Sequence, residues 1–187
     1  MNSSTQRTET AYFQAVDPAR RGAVAQQDPV CLYLEVSNEC NLACKTCPIT
    51  YGKVEEPAAL NVEQVKHLLS QFTRVKRVVL HGVGEPLLNR ELPKIILWLK
   101  EKGIYVLFNS NGTLINKRWR EALVESGLDE IRLSLDAATA ETFARVRGKP
   151  LFDVIIRNIK GLTALKAGTG SLTPLVSLAR SVLLSSR

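Results

Sequence analysis

The sequence predicts an α/β protein built on a parallel β-sheet. Short apolar runs alternate along the chain with amphipathic segments of helical period, and a polar or glycine-rich segment follows each of the first four runs. Composition agrees, because 45% of the 187 residues are apolar and 23% are charged, as in an ordinary globular domain. Right-handed crossovers between parallel strands gather the segments that follow the strands at one edge of the sheet. We therefore expect one composite site at that edge.

The first part of the chain divides into a tail, a strand and a loop. Residues 1–29 show no sustained hydrophobic period, so we predict a flexible N-terminal tail before a domain that covers residues 30–187. Alternating apolar residues from Cys31 to Val36 predict the first strand. Residues 38–48, which follow it, are predicted to form a loop.

Five helices and four further strands are predicted after this loop. Apolar residues recur three or four apart in each helical segment, and each later strand is a short apolar run. The predicted helices cover residues 61–73, 92–102, 116–126, 139–146 and 152–162, and the predicted strands cover residues 77–80, 105–108, 131–136 and 175–178.

The net charge of +7 does not indicate a nucleic-acid partner. The last acidic residue is Asp153, and the five basic residues after it account for most of the excess: Arg157, Lys160, Lys166, Arg180 and Arg187. No basic cluster is interleaved with aromatic residues, as single-strand binders require. A diffuse solvated surface is the better interpretation.

Targeting and membrane signals are absent from the sequence. No run approaches the roughly 18 uninterrupted apolar residues of a membrane-spanning helix. The N-terminus lacks the apolar core of a secretory signal. We therefore predict a cytoplasmic protein that does not bind membranes, in which close-set cysteines bind metal or react rather than form disulfides.

All four cysteines lie within 17 residues, at Cys31, Cys40, Cys44 and Cys47. The last three have the spacing C-x3-C-x2-C on a loop that can curl their thiolates toward one point. Cys31 begins the first strand, and about six residues at roughly 3.3 Å each would hold it some 20 Å away, so we expect a small buried residue there. Three ligands leave an open position, which catalysis at a metal requires.

At this point the sequence resembles the radical SAM superfamily, in its molybdenum-cofactor and peptide-maturase (SPASM) branch. The resemblance covers roughly residues 30 to 165 and implies a partial (βα) barrel of parallel strands, of which this chain holds about five of the usual six units. We therefore expect a core that is truncated at its C-terminus. The motifs that carry the resemblance are residues 40–48, Gly84-Glu85-Pro86, Asn111-Gly112-Thr113, Ser134-Leu135-Asp136 and Val146-Arg147-Gly148.

The resemblance implies a 4Fe-4S cluster on Cys40, Cys44 and Cys47, with S-adenosylmethionine (SAM) chelating the fourth iron. Reductive cleavage of SAM then releases methionine and a 5'-deoxyadenosyl radical, which removes a hydrogen atom from the substrate. A low-potential donor of flavodoxin or ferredoxin type would supply the electron. The substrate, a peptide or a small molecule, is not readable from the sequence.

The resemblance also assigns residues to SAM. Thr46 stands where the family usually has an aromatic residue whose backbone meets the adenine. Gly84 and Glu85 match the Gly-Glu pair that receives the SAM ammonium group, although Val83 replaces the preceding glycine. Because side chains alternate between the two faces of a strand, we expect Ser134 and Asp136 to point to the same face. The residues suited to the ribose hydroxyls, the methionine end or its carboxylate are Asn111, Ser134, Asp136 and Arg147.

Each of these assignments has a structural alternative. Asp136 could cap the helix that begins near Thr139, and Asn111 could belong only to a turn. Arg147 could be a solvated surface arginine. His81 is better explained as a packed strand-end residue than as a ligand.

Three functions from different classes stay open at this stage. The first is a radical SAM enzyme or its SAM-binding core, which four motifs at strand ends favour. The second is a non-catalytic iron-sulfur or zinc module, and the third is an inactive fragment that retains the motifs. No cysteine follows Cys47, so auxiliary clusters cannot be built from these residues. A parallel sheet that is open at its fourth or fifth strand exposes unpaired backbone groups, which is expected to favour association.

Overall fold

The computed structural model describes residues 28–52 and 55–179. Five parallel strands form one sheet in the order β1-β2-β3-β4-β5, so every crossover joins neighbouring strands. This arrangement confirms the predicted α/β class and the partial barrel of about five βα units. The strands are β1 (Cys31–Tyr33), β2 (Arg77–Val79), β3 (Tyr105–Ser110), β4 (Glu130–Ser134) and β5 (Leu175–Ala179).

Helices connect the strands and cover one face of the sheet. Six α-helices and one 3-10 helix, Pro86–Leu88, lie in the described residues. The α-helices are α1 (Pro48–Tyr51), α2 (Val62–Leu69), α3 (Leu92–Glu101), α4 (Lys117–Glu125), α5 (Ala140–Arg147) and α6 (Phe152–Thr169).

Capping residues explain where the helices begin and end. Asn61 and Gln64 form a reciprocal capping box at the start of α2. Gly103 and Gly127 follow α3 and α4 with φ of 69° and 72°, a left-handed conformation that glycine adopts without steric cost. The structure differs from the prediction at α6, which continues to Thr169, and at α1, which is too short to leave a periodic pattern.

The two faces of the sheet are built differently. On the helix-covered face, one core is made from alternate residues of the strands, such as Val78, Phe108 and Leu133, packed against the helices. The opposite face carries a small cluster of Val79, Tyr105 and Leu107 with Cys31 against it, and polar residues beyond that cluster. This second face is open in the described residues, as the inner face of a partial barrel is.

Residues 1–27 of the predicted tail lie outside the described residues. The fifth strand is present and forms the outer strand of the sheet, where Leu178 is 61% exposed. None of the described helices is long and apolar enough to span a membrane.

Candidate functional site

The cysteine loop follows β1 at the carboxyl edge of the sheet. Cys44 is 8% exposed, while Cys40 and Cys47 are half-buried, and all three are free thiols. The Cys44 carbonyl accepts bonds from the Cys47 backbone N–H (3.1 Å) and the Thr50 hydroxyl (2.9 Å). These bonds close a tight turn between Cys44 and Cys47, and α1 begins directly after Cys47.

Asn111, at the end of β3, holds the loop on the Cys40 side. Its side chain is nearly buried, and its Nδ2 donates to Asn41 Oδ1 (2.8 Å) and lies 4.0 Å from Cys40 Sγ. Its Oδ1 accepts from the Thr113 backbone N–H (3.0 Å), so the residue also shapes the turn that follows β3. The turn and the site therefore use opposite ends of one amide group.

Arg147, the last residue of α5, holds the loop on the Cys44 side. Its Nη1 lies 3.5 Å from Cys44 Sγ, and its Nη2 donates to the Ser134 carbonyl (2.7 Å) and pairs with the Asp136 carboxylate. The two paired side chains are 12% and 8% exposed. Arg147 is thus not a solvated arginine, and the pair is sheltered from solvent.

The prediction that Ser134 and Asp136 share a strand face was wrong. β4 ends at Ser134, and Asp136 lies beyond it with φ of 55°, in the left-handed region that aspartate tolerates better than most residues. This conformation is compatible with the ion pair to Arg147. The capping alternative for Asp136 also fails, because Thr139 itself caps α5 by accepting from the Thr142 N–H.

Glu85 lies inside the protein and links the ends of β2 and β3. It is 2% exposed, and its carboxylate accepts from the Ser110 hydroxyl (2.8 Å), the Asn111 N–H (2.8 Å) and the Leu87 N–H (3.1 Å). Burial raises the pKa of Glu85, against the lowering effect of these donors. The carboxylate is therefore engaged by protein donors, and its effect on the site acts through Asn111.

The glycines before Glu85 allow two chain segments to approach closely. A Cβ at Gly84 would lie 2.0 Å from the Ser37 carbonyl oxygen, and one at Gly82 would lie 2.3 Å from the Glu35 carboxylate. Glu35 accepts from the Gly84 N–H at 3.1 Å. These contacts show that the glycine pattern first serves the packing of the two strand-end loops.

Two contacts between the residues after α5 and the cysteine loop were not predicted from the sequence. A Cβ at Gly148 would lie 2.4 Å from the Ala43 carbonyl oxygen, and Lys149 Nζ donates to the Asn41 carbonyl (2.6 Å). Gly148 has φ of 78°, so its place after a helix could have been recognised as a cap. Its contact with the cysteine loop joins segments distant in sequence and leaves no local signal.

The remaining predicted site residues have simple placements. Thr46 is exposed on the cysteine loop, and Ser134 is half-buried at the end of β4. Cys31 begins β1, where it pairs in register with Arg77, and it packs against the cluster on the open face. The structure thus keeps Cys31 at the other end of the strand from the cysteine loop, as expected, but Cys31 is half-buried rather than buried.

The three thiols of the cysteine loop suit a cluster rather than a single metal ion. Burial raises the pKa of the Cys40 thiol, and the negative charges of Glu85, Cys44 and Cys47 raise it further. Three thiolates here would thus carry a negative charge that burial disfavours and that iron ions would neutralise. In residues 28–52 and 55–179 no three His, Cys, Asp or Glu side chains converge as a site for one metal ion. The Cys40 thiol lies against Asn111 and the Cys44 thiol against Arg147, which suits a cluster whose ligands bind separate irons.

Comparison with known proteins identifies the family. The family model described as the radical SAM superfamily matches residues 34–176. Mycofactocin maturase MftC of Mycolicibacterium smegmatis is 31% identical over 136 residues, which are 72% of this chain and 34% of the relative. Fe-coproporphyrin III synthase of Methanosarcina barkeri is 32% identical over 126 residues, which are 66% of this chain and 31% of the relative. The chain spans about a third of the length of these curated relatives.

A solved structure shows the same fold. SuiB of Streptococcus suis superimposes with a TM-score of 0.68 at 21% identity, over 86% of this chain and 35% of that chain. Another structure of SuiB, with a TM-score of 0.63 at 23% identity over 74% of this chain and 32% of that chain, contains bound S-adenosylmethionine. The cofactors that membership of this family implies are SAM and a 4Fe-4S cluster. The matched family, the parallel sheet and the three-cysteine loop at its carboxyl edge agree, and the chain belongs to the radical SAM superfamily.

Proposed function

We propose that this chain forms the catalytic core of a radical SAM enzyme, with a 4Fe-4S cluster on Cys40, Cys44 and Cys47. The observation that carries the proposal is the support of the cysteine loop from two sides, by Asn111 and by Arg147. When bound, the reduced cluster supplies the electron that cleaves SAM to methionine and a 5'-deoxyadenosyl radical, which removes a hydrogen atom from the substrate.

The residues around the loop divide into those that orient it and those proposed to meet SAM. Arg147 places positive charge beside Cys44 and fixes the Asp136 carboxylate, while Glu85 orients Asn111 from the protein interior. These buried groups keep the loop in one shape and exclude water from it. The residues proposed to contact SAM are Thr46, Gly84, Asn111, Ser134 and Asp136, with Glu85 and Arg147 as positioning residues.

A peptide substrate is proposed from the relatives. One relative is named as a mycofactocin maturase, and SuiB, which shares the fold, was solved bound to its precursor peptide SuiA. The open face of the sheet beneath the cysteine loop is where such a substrate would lie. The family resemblance is the basis for proposing a low-potential electron donor of flavodoxin or ferredoxin type. Lys45 and Thr46 are exposed on the cysteine loop, where such a donor could approach.

The test is anaerobic reconstitution with iron and sulfide, followed by electron paramagnetic resonance of the reduced protein with and without SAM. We expect a 4Fe-4S signal that changes when SAM is added, and formation of 5'-deoxyadenosine under reducing conditions. Cys44→Ala should lose the cluster absorption near 400 nm per chain. Cys31→Ala is the matched control, because it removes a thiol outside the loop, and it should retain the cluster.

Other outcomes identify the competing functions. A cluster signal that is indifferent to SAM would indicate an iron-sulfur module without catalytic use of SAM. Zinc in place of iron and sulfide would overturn the cluster assignment. Equal cluster content in Cys44→Ala and the wild type would contradict the ligand assignment.

A further inference from the structure

A row of polar residues crosses the open face of the sheet one layer below the strand-end site. Register pairs Asn109 on β3 with Arg132 on β4, and Arg132 with Ser177 on β5. The Leu80 N–H donates to the Leu107 carbonyl (2.8 Å), so the chain stays bonded to β3 as far as Leu80, and His81 is the next residue. Asn109, Arg132 and Ser177 therefore stand side by side, His81 follows the end of the neighbouring strand, and we call these four residues the polar row.

The polar row faces the open side and lies close to the cysteine loop. Leu107 belongs to the cluster on the open face, and Asn109, two residues further along β3, points the same way. His81 lies close enough to Glu35, beyond the end of β1, for that carboxylate to act on its pKa. Asn109 precedes Asn111 by two residues, and Arg132 precedes Ser134 by two. At roughly 3.3 Å per residue, the row is about 7 Å below the residues proposed to meet SAM.

Two buried polar atoms of the row have no hydrogen-bond partner in the described residues, Nδ1 of His81 and Oδ1 of Asn109. Buried polar atoms in folded proteins are nearly always paired, so such atoms indicate a place for a ligand or an ordered water. Two such atoms, one on β3 and one just after β2, favour a ligand with more than one polar atom.

Arg132 is held in place but keeps hydrogen-bonding capacity. Its Nε and Nη2 donate to the two oxygens of Glu130 at 2.7 and 3.2 Å, and no bond is formed by its Nη1 to the described residues. Glu130 is fixed in turn by the Tyr105 hydroxyl (3.2 Å) and the Ser177 hydroxyl (3.4 Å). The guanidinium is thereby oriented on the open face with its charge already balanced.

The chemistry of the row favours a neutral ligand that both donates and accepts. The charge of Arg132 is balanced by Glu130, and burial lowers the pKa of His81, against the opposing effect of Glu35, so the imidazole is neutral near pH 7. An isolated carboxylate would find no unpaired cation among these residues. An amide group matches, because its N–H fits the free acceptor of Asn109. Its carbonyl oxygen has two lone pairs, which fit Nη1 of Arg132 and the Nδ1–H of a neutral His81.

We propose that His81, Asn109 and Arg132 form a subsite that binds an amide group of a peptide. That this peptide is the substrate of the enzyme rests on the proposed function. The subsite would fix one peptide bond of the substrate a short distance from SAM, so that the neighbouring carbon is the one presented for hydrogen removal. These residues would then determine which position of a peptide reacts.

The test uses the two histidines of the chain, because His67 is exposed on α2 and serves as an internal reference for His81. The full-length protein, labelled at the histidine Cε1 carbon, is titrated anaerobically with the capped dipeptide mimic N-acetylglycine N-methylamide and followed by NMR. We expect a saturable shift of the His81 signal with His67 unmoved. Acetate at the same concentrations should shift neither signal.

Variants separate the subsite from nonspecific effects. Asn109→Leu and Arg132→Gln should each weaken the amide binding about tenfold, as expected for one lost hydrogen bond. Arg118→Gln, at an exposed position on α4, is the matched control and should bind like the wild type. The absence of a saturable His81 shift, a shift by acetate alone, or equal binding by Asn109→Leu and Arg132→Gln would overturn the proposal.

The titration is run before and after cluster reconstitution. Amide binding depends on the sheet face and needs neither electrons nor SAM. A protein that binds the amide probe but does not cleave SAM would refute the proposed function and keep the subsite. A protein that cleaves SAM but shows no His81 shift would refute the subsite and keep the proposed function.

Discussion

Replacement of Glu85 by alanine tests whether its carboxylate supports the fold or waits for a ligand. The structure buries the carboxylate and gives it three donors, from Leu87, Ser110 and Asn111. A buried donor that loses its acceptor costs about 1–3 kcal/mol, and at least the two backbone N–H groups cannot turn away. Removal of a buried carboxyl group returns part of this cost, so we expect a loss of about 2–4 kcal/mol in the free energy of unfolding.

The loss would be a large share of the roughly 5–15 kcal/mol that stabilises a typical domain. Anaerobic urea denaturation of the wild type, Glu85→Ala and Glu85→Gln measures it directly. Glu85→Gln keeps one acceptor oxygen and should lose less than Glu85→Ala. Glu101→Ala is the control, since Glu101 is exposed at the end of α3, and it should change stability by less than about 0.5 kcal/mol.

The same experiment separates the two roles of Glu85. If the carboxylate serves only to receive SAM, Glu85→Ala should unfold at the wild-type urea concentration and lose only SAM affinity. Wild-type stability in Glu85→Ala would therefore refute the reasoning from burial. A destabilised variant that still binds SAM weakly when kept below its unfolding midpoint would support a positioning role for Glu85, whereas wild-type SAM affinity under those conditions would show that Glu85 only stabilises the fold.

Three further outcomes are expected. Gly148→Ala should destabilise the protein and lower the iron bound per chain, because its Cβ would meet a carbonyl of the cysteine loop at 2.4 Å. Gly170→Ala is the control: Gly170 has a similar φ but open space around it, so this change should cost only about 1 kcal/mol. Denaturation and iron analysis compare the two variants. A double-mutant cycle of Arg147→Gln and Asp136→Asn should give a coupling of about 1–3 kcal/mol, and additive losses would contradict the buried pair. Burial lowers the pKa of His81 from 6.5, so the unfolded chain binds this proton more readily than the folded chain. The stability of the wild type should therefore fall more than that of His81→Phe as the pH drops below about 6.5. Parallel curves of stability against pH for the two proteins would contradict this prediction.

The sheet could be predicted because its signals are local. Each strand is an apolar run and each long helix has a stripe of apolar residues, so the alternation fixed the class and order of elements. The conformation of Asp136 could not be predicted, because a period of two assumes that the strand continues to it. The four-residue helix after Cys47 was missed because it spans only one turn.

The site could be predicted as a set of residues but not as a set of contacts. The motifs place the cysteines, Asn111 and Arg147 at neighbouring strand ends, and the structure brings these residues together. Residue types do not reveal whether a carboxylate faces a ligand or a neighbouring backbone, which is why the inward orientation of Glu85 was not foreseen. The contact of Gly148 with the loop depends on the packing of α5, which no local pattern encodes.

Two chains of contacts connect the sheet to the cysteine loop, and together they explain why the loop needs the whole succession of strands. One runs from Glu85 through Asn111 to Cys40, and the other runs from Asp136 through Arg147 to Cys44. The first arm depends on β2 and β3, and the second depends on β4 and α5. Loss of either arm leaves one thiol unsupported while the sheet remains paired, so local opening of the loop should precede global unfolding. Variants of the two arms should accordingly reduce cluster content to different degrees at equal loss of stability, because each arm holds a different cysteine.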